Sequence, residues 1–149
     1  MPVRLATAAD LPAVLDLMAE LNPDDPALEP DVARATWARL LAQPGVSVWL
    51  ADVNGVPVAS CTLIIVPNLT RGARAYALIE NVVTLSSHRR QGHARAVLEA
   101  ALAHAWQAGC YKVMLSTSAR DPGVVDFYRR CGFRDGIKTG FLATATVTG

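Results

Sequence analysis

Arg89-Arg90-Gln91-Gly92-His93-Ala94 is the stretch of this chain whose residue types can do chemistry together. Two guanidinium groups, a glycine and a small residue stand between a β-branched run, Val82-Val83-Thr84, and a long apolar-periodic segment. That order reads as strand, anion-binding loop, helix. The first turn of a helix leaves backbone N–H groups unpaired, and with the helix dipole and the two arginines they hold phosphate oxygens. A solvated basic turn is the plainer alternative. Other candidates lie on either side. Glu80 is the single carboxylate of the strand before the loop, Tyr128 comes after Phe127 in a later helical stretch, and Asp121 precedes Pro122. Glu80 can equally bond backbone or face water, Tyr128 can be core with one partner for its hydroxyl, and Asp121 suits the N-cap of a helix opening at Pro122. His88 and His93 read as exposed loop residues rather than catalysts. Asp24 and Asp25, in a proline loop, read as solvated acids, or as acids favouring a cationic amine if they line a substrate mouth.

These residues need a scaffold, and the apolar spacing supplies one. Val3 to Thr7 is a short strand, after which Thr7 or Asp10 caps a helix with Leu11, Val14, Leu15 and Met18 at i, i+3, i+4, i+7. A second helix from about Asp31 places Ala33, Trp37, Leu40 and Leu41 together and ends at Pro44-Gly45. Val46 to Val53 and Pro57 to Val66 flank Asn54-Gly55, the dipeptide of a tight hairpin. Pro67 to Arg74 is a loop by composition, and Tyr76 to Leu85 is the strand that carries Glu80. Ala94, Val97, Leu98, Ala101, Leu102 and Ala105 form a helical stripe closed by Gly109. Lys112 to Thr117 is a strand, so strand, helix and strand make a right-handed parallel unit. A helix from Pro122 to Gly132 comes next, and Phe133 to Val147 supplies one or two terminal strands. The expected class is mixed α/β: a mostly antiparallel sheet with a central parallel βαβ unit and about four helices, in a single domain over residues 1–149.

The chain has 149 residues, 52% of them hydrophobic and 18% charged, which fits a globule with a sizeable core. Its formal net charge of +1 leaves no surplus for nucleic acid, whose non-specific binding rests on many cation–phosphate contacts. Three widely spaced cysteines suggest neither a disulfide framework nor a zinc site, and a reducing, cytoplasmic setting is expected. No signal segment or membrane span is read from the apolar runs. No Gly-Lys-[Ser/Thr] comes after the loop, which excludes a P-loop. No Cys–His or Ser–His–Asp set at informative spacing points to a covalent acyl-enzyme.

The chain resembles the GCN5-related N-acetyltransferases. The acyl-CoA pyrophosphate signature of that family, [Gln/Arg]-x-x-Gly-x-[Gly/Ala], is matched by Arg89 to Ala94, and its aromatic-Tyr-x-x-x-Gly-Phe motif by Phe127 to Phe133. Ile79 to Val83 and Gly109 to Lys112 resemble segments of the glucosamine 6-phosphate acetyltransferase branch. Pro67 to Gly72 and Lys138 to Phe141 look more like a bacterial branch of unassigned substrate. The resemblance implies the acyl-CoA N-acyltransferase fold and an acetyl-CoA-dependent N-acetyltransferase without a metal, transferring directly to a primary amine of a small molecule or peptide. It implies pantetheine along Val82, Val83 and Thr84, with a backbone N–H there polarising the thioester carbonyl. Arg89, Arg90, Gln91, Gly92, His93 and Ala94 would then lie at the pyrophosphate, and Tyr128 would be the acid for the departing thiolate. Glu80 is the first candidate base. Asp121 stands where many members carry an Asn that bonds pantetheine, and Ser86 replaces a common proline. A non-catalytic acyl-CoA-binding module is the competing class. A homodimer through Thr139 to Val147 is compatible with these segments.

Overall fold

Asn54 and Gly55 both take left-handed backbone, φ 51° and 80°, as a two-residue turn of the tight hairpin type requires. The turn joins β2 (Val46–Val53) to β3 (Val56–Val66), and this hairpin is the middle of the sheet. The computed structural model describes residues 2–145. Contacts group the chain into two compact units, Met1–Leu115 and Ser116–Gly149.

In the first unit, five strands run in the order β1-β2-β3-β4-β5. β1 (Val3–Leu5) pairs antiparallel with β2, and β3 pairs antiparallel with β4 (Tyr76–Thr84). β5 (Val113–Met114) closes the order, parallel to β4 through Ala77↔Val113 and Leu78↔Met114. Helices α1 (Leu11–Leu21) and α2 (Pro30–Ala42) cover one face, where Val14, Leu17 and Trp37 pack with Val48, Leu50 and Val83. Each large side chain taken fully out of water there contributes roughly 1.5–3 kcal/mol of transfer free energy. The short helical turn α3 (Thr70–Ala73) lies in the loop before β4, with Arg71 and Gly72 in left-handed backbone. Helix α4 (His93–Gln107) covers the other face with Val97, Leu98, Ala101 and Ala105, and the Cys61 thiol donates to Val97 O at 3.6 Å. Gly109, φ 84°, ends α4: Cys110 N–H reaches Ala105 O and Gly109 N–H reaches Trp106 O, both at 3.0 Å, the paired bonds of a left-handed helix stop.

Arg4 locks β1 to the start of α1 and to the end of β2. Its two terminal nitrogens donate to the Asp10 carboxylate at 2.8 Å each, and its Nε donates to Asp52 at 2.7 Å. Asp10 also accepts the Thr7 amide at 2.7 Å, so the turn Ala8–Asp10 delivers the chain into α1 at a fixed angle. Arg4 first, and then the Thr7 amide, hold the Asp10 carboxyl well below the usual range against the opposing effect of its burial.

The second unit carries α5 (Pro122–Arg130), capped by Asp121, whose Oδ1 accepts the Gly123 amide at 2.8 Å. Arg129 then grips Asp135 through Nε and Nη2 at 2.8 and 2.9 Å.

Two expectations change. Of Lys112 to Thr117 only Val113–Met114 is strand, and residues 133–145 contain no strand. Thr- and Val-rich composition favours extended chain but does not provide a partner edge, and pairing is what makes a strand. The rest of the expected terminal strand, residues 146–147, lies outside the described residues. No helix among the described residues is long and apolar enough to cross a membrane.

Candidate active site

β4 changes character halfway along. Thr62 opposes Glu80 and Ser60 opposes Val83, so two steps on β3 match three on β4. The extra residue is a bulge, and Asn81 sits in it with φ 54°, a conformation that Asn tolerates better than most residues. Before the bulge, Ala77 and Leu78 pair with β5; from Glu80 to Thr84 the edge facing β5 has no strand partner among the described residues. The amides and carbonyls of Val82, Val83 and Thr84 therefore lie on an edge that can accept an extended ligand as a further strand would be accepted. Glu80, opposite Thr62, projects on the α1/α2 face and is exposed. Its carboxylate has no hydrogen-bond or ion-pair partner among the described residues, so the backbone-bonding alternative is not what the structure shows.

The loop after β4 is held from a distance. Glu20, near the end of α1, accepts the Ser86 amide at 2.5 Å and lies 3.8 Å from Arg89 Nη2. The Ser86 amide first, with the Ser86 hydroxyl and Arg89 behind it, keeps the Glu20 carboxyl below its ordinary value. Arg89 also donates through Nε to Thr84 O at 3.3 Å. The two arginines are thus unequal. Arg89 is partly committed to Glu20 and the strand end, whereas Arg90, in left-handed backbone at φ 62°, is exposed and has no ion pair among the described residues.

Gly92, φ 85°, is the N-cap of α4, and no side chain caps this helix. The first intrahelical bond runs from Ala96 N–H to Gly92 O at 3.0 Å, so the His93 and Ala94 amides precede the hydrogen-bonded ladder. No acidic residue occupies the first turn. Unengaged amides, the positive end of a 15-residue helix and Arg90 together make an electropositive corner that can attract an anion. His93 departs from expectation: its side chain is buried, not loop-exposed, because the first residue of α4 turns inward. Its Nε2 lies 3.4 Å from Gln91 Oε1, and its buried Nδ1 has no hydrogen-bond partner among the described residues. What His93 can offer an anion is its amide.

In the second unit, Tyr128 is half-buried and packs edge-on against Phe127 and Phe133, with ring centroids 5.2 and 6.2 Å away. The spacing of the aromatic motif has a local cause. Gly132, φ 98°, ends α5, with Gly132 N–H on Arg129 O at 3.0 Å and Phe133 N–H on Tyr128 O at 3.1 Å. A glycine at that place is what the left-handed stop needs, and the next apolar residue folds back on the residue five before it, which here is Tyr128. Asp121 is seen in its capping role.

Glu20 and the bulge at Asn81 were not singled out from the sequence. No local pattern links Glu20 to a loop 66 positions away. An Asn inside a β-branched run is the one available hint of a bulge.

The sequence model of the Acetyltransferase (GNAT) family matches residues 13–133, and the chain belongs to that family. Its members transfer acetyl groups, and the chain is an acetyltransferase. A glucosamine 6-phosphate N-acetyltransferase of Trypanosoma brucei brucei is 32% identical over 132 residues, covering 89% of this chain and 88% of that protein. A solved structure from Agrobacterium tumefaciens str. C58, described as an acetyltransferase, is 50% identical with a TM-score of 0.93, over 97% of this chain and all of that one (100%). The Arabidopsis thaliana glucosamine-6-phosphate N-acetyltransferase superposes with a TM-score of 0.82 at 20% identity over 97% of each chain, a likeness of fold.

Proposed function

We propose that this chain transfers the acetyl group of acetyl-CoA directly to a primary amine of a small molecule or peptide. One observation carries the reading: the edge of β4 beyond its bulge, without a strand partner among the described residues, leads through the loop 85–92 to the uncapped N-terminus of α4. That is where an extended amide-bearing arm ending in a pyrophosphate is held. The residues fit the cofactor chemically, since the cradle has no acidic first-turn residue to repel phosphate. The His93 and Ala94 amides with Arg90, and Arg89 in its shared position, would hold the pyrophosphate, and Gly92 lets backbone approach it. Val82, Val83 and Thr84 would hold pantetheine through the strand edge. Acetyl-CoA supplies the activated acetyl group and a thiolate that leaves as the C–S bond breaks and the N–C bond forms. Glu80 takes the proton the amine must lose, directly or through water. A backbone N–H at the bulge polarises the acyl carbonyl. Tyr128 returns a proton to the thiolate, a role supported by the family motif in which it stands. One positioned proton donor is worth ~10²–10⁴ in rate.

Calorimetry tests the cradle: CoA binds the native protein, and Gly92→Asp, which forces a side chain onto left-handed backbone and sets a carboxylate at the phosphates, abolishes binding. Unchanged affinity rejects the loop assignment. Tyr128→Phe keeps acetyl-CoA affinity and loses turnover, and full activity in that variant removes Tyr128 as the acid. Thiol release over a panel of amines, glucosamine 6-phosphate among them, defines the acceptor. Silence on every amine with intact CoA binding favours a non-catalytic binding module.

A further inference from the structure

A cavity of about 150 Å³ lies in the first unit between α1, α2 and the sheet, on the face that Glu80 shares. Leu11, Val14, Met18, Leu28, Trp37 and Val48 make most of its wall, and among the residues that line it none is a lysine, arginine, histidine, aspartate or glutamate. Its polar lining groups are Thr36 on α2 and three residues of the sheet. Ser60, Thr62 and Asn81 surround the bulge, Thr62 directly opposite Glu80. Ser60 is 1% exposed, and its hydroxyl has no hydrogen-bond partner among the described residues. Leu28, 54% exposed, and the exposed Thr36 are lining residues that reach solvent.

Resting on the acetyl-transfer reading above, we infer that the acceptor is a compact, apolar-bodied primary amine: a single aromatic ring or branched alkyl group on a short arm. Its body lies among α1 and α2, and its nitrogen lies at the bulge beside Glu80. A cavity of about 150 Å³ holds roughly one benzene ring. A phosphomonoester brought into this wall would find no cation, and a sugar ring would set several hydroxyls against Leu, Val, Met and Trp with only Thr36, Ser60, Thr62 and Asn81 to answer them. Unpaired buried polar groups are what such a wall rejects most strongly. A polycationic amine would find Glu80 at the bulge for one nitrogen and no carboxylate among the lining residues for the others. Ser60 determines specificity at the floor: it waits for one polar hydrogen, supplied by the acceptor nitrogen or a single ring substituent.

The test compares kcat/KM for 2-phenylethylamine and isoamylamine with that for glucosamine 6-phosphate and spermidine, by thiol release from acetyl-CoA. The apolar amines are expected to lead by roughly 100-fold or more. Ala33→Leu, which fills the cavity from α2, raises KM for 2-phenylethylamine at least tenfold while calorimetric CoA affinity stays unchanged. Ser60→Ala, which leaves the cavity open, raises it severalfold. Glucosamine 6-phosphate or spermidine as the preferred acceptor overturns the inference and leaves acetyl transfer standing. Apolar amines turned over with equal KM in both variants overturn it as well, because the cavity would not be their site. Loss of all turnover with CoA still bound overturns the transfer reading; the inference is then judged by ligand-observed NMR of 2-phenylethylamine with the CoA-loaded protein, and no binding overturns it.

Discussion

Ser60→Ala should make the free protein more stable while making it a poorer enzyme. The hydroxyl is buried on β3 with no partner among the described residues. Leaving such a group without a hydrogen bond costs about 1–3 kcal/mol. Alanine removes the group and leaves a gap of one oxygen atom beside a cavity already present, which returns only a few tenths of a kcal/mol as lost packing. The net expectation is a stabilisation of about 0.5–2 kcal/mol. For a domain of this size 1 kcal/mol moves Tm by about 2–4 °C, so the variant should melt roughly 1–8 °C higher. Urea unfolding followed by tryptophan fluorescence should show a raised midpoint with an unchanged slope. A variant destabilised by more than about 1 kcal/mol refutes the reasoning, because the hydroxyl would then already have a partner and would not be waiting for one.

Asp10→Asn keeps the shape of the Arg4 clamp but loses its charge, and should cost about 1–3 kcal/mol at pH 7 in urea midpoints. The folded-state carboxyl titrates well below its unfolded value near about 3.9. Its contribution is therefore complete above that value and drains as the pH falls below it, so the native protein should lose more stability between pH 7 and pH 3 than the variant does. Gly45→Ala places a Cβ 2.5 Å from Ile65 O on backbone at φ +79°, beside the Ile65 N–H to Gly45 O bond of 2.8 Å. A loss of about 2–4 kcal/mol is expected from left-handed strain plus a displaced strand end, read by the same denaturation. Burial pushes the Cys61 thiol up to about 12, so a thiol-specific reagent should modify Cys131 in the native protein and reach Cys61 only on unfolding.

Local chemistry was legible wherever one short stretch decides the outcome. Asn54-Gly55 makes the hairpin, Gly109 and Gly132 stop their helices, and Asp121-Pro122 starts one, each for a backbone reason contained in a few neighbouring residues. The loop of the Arg89 to Ala94 motif likewise ends at the start of α4, with Gly92 at its N-cap. What depends on distant partners was not legible. β5 is two residues long and pairs only with Ala77 and Leu78, before the bulge in β4. His93 is buried because of how α4 lies on the sheet, and Glu20 meets Ser86 because α1 crosses the end of β4. The solitary hydroxyl of Ser60 becomes notable only when the walls around it are known.

The bulge at Asn81 has a further consequence. Remove that one residue and Glu80 would still oppose Thr62 and Val83 would still oppose Ser60, with every side chain on the face it now occupies. The ladder has no use for the insertion, and a non-glycine residue at φ 54° is a local cost of about 1–2 kcal/mol. The chain therefore carries a residue surplus to its architecture. Its effect is to divide one strand in two, with a permanent neighbour along its first half and, along its second, an edge without a strand partner among the described residues.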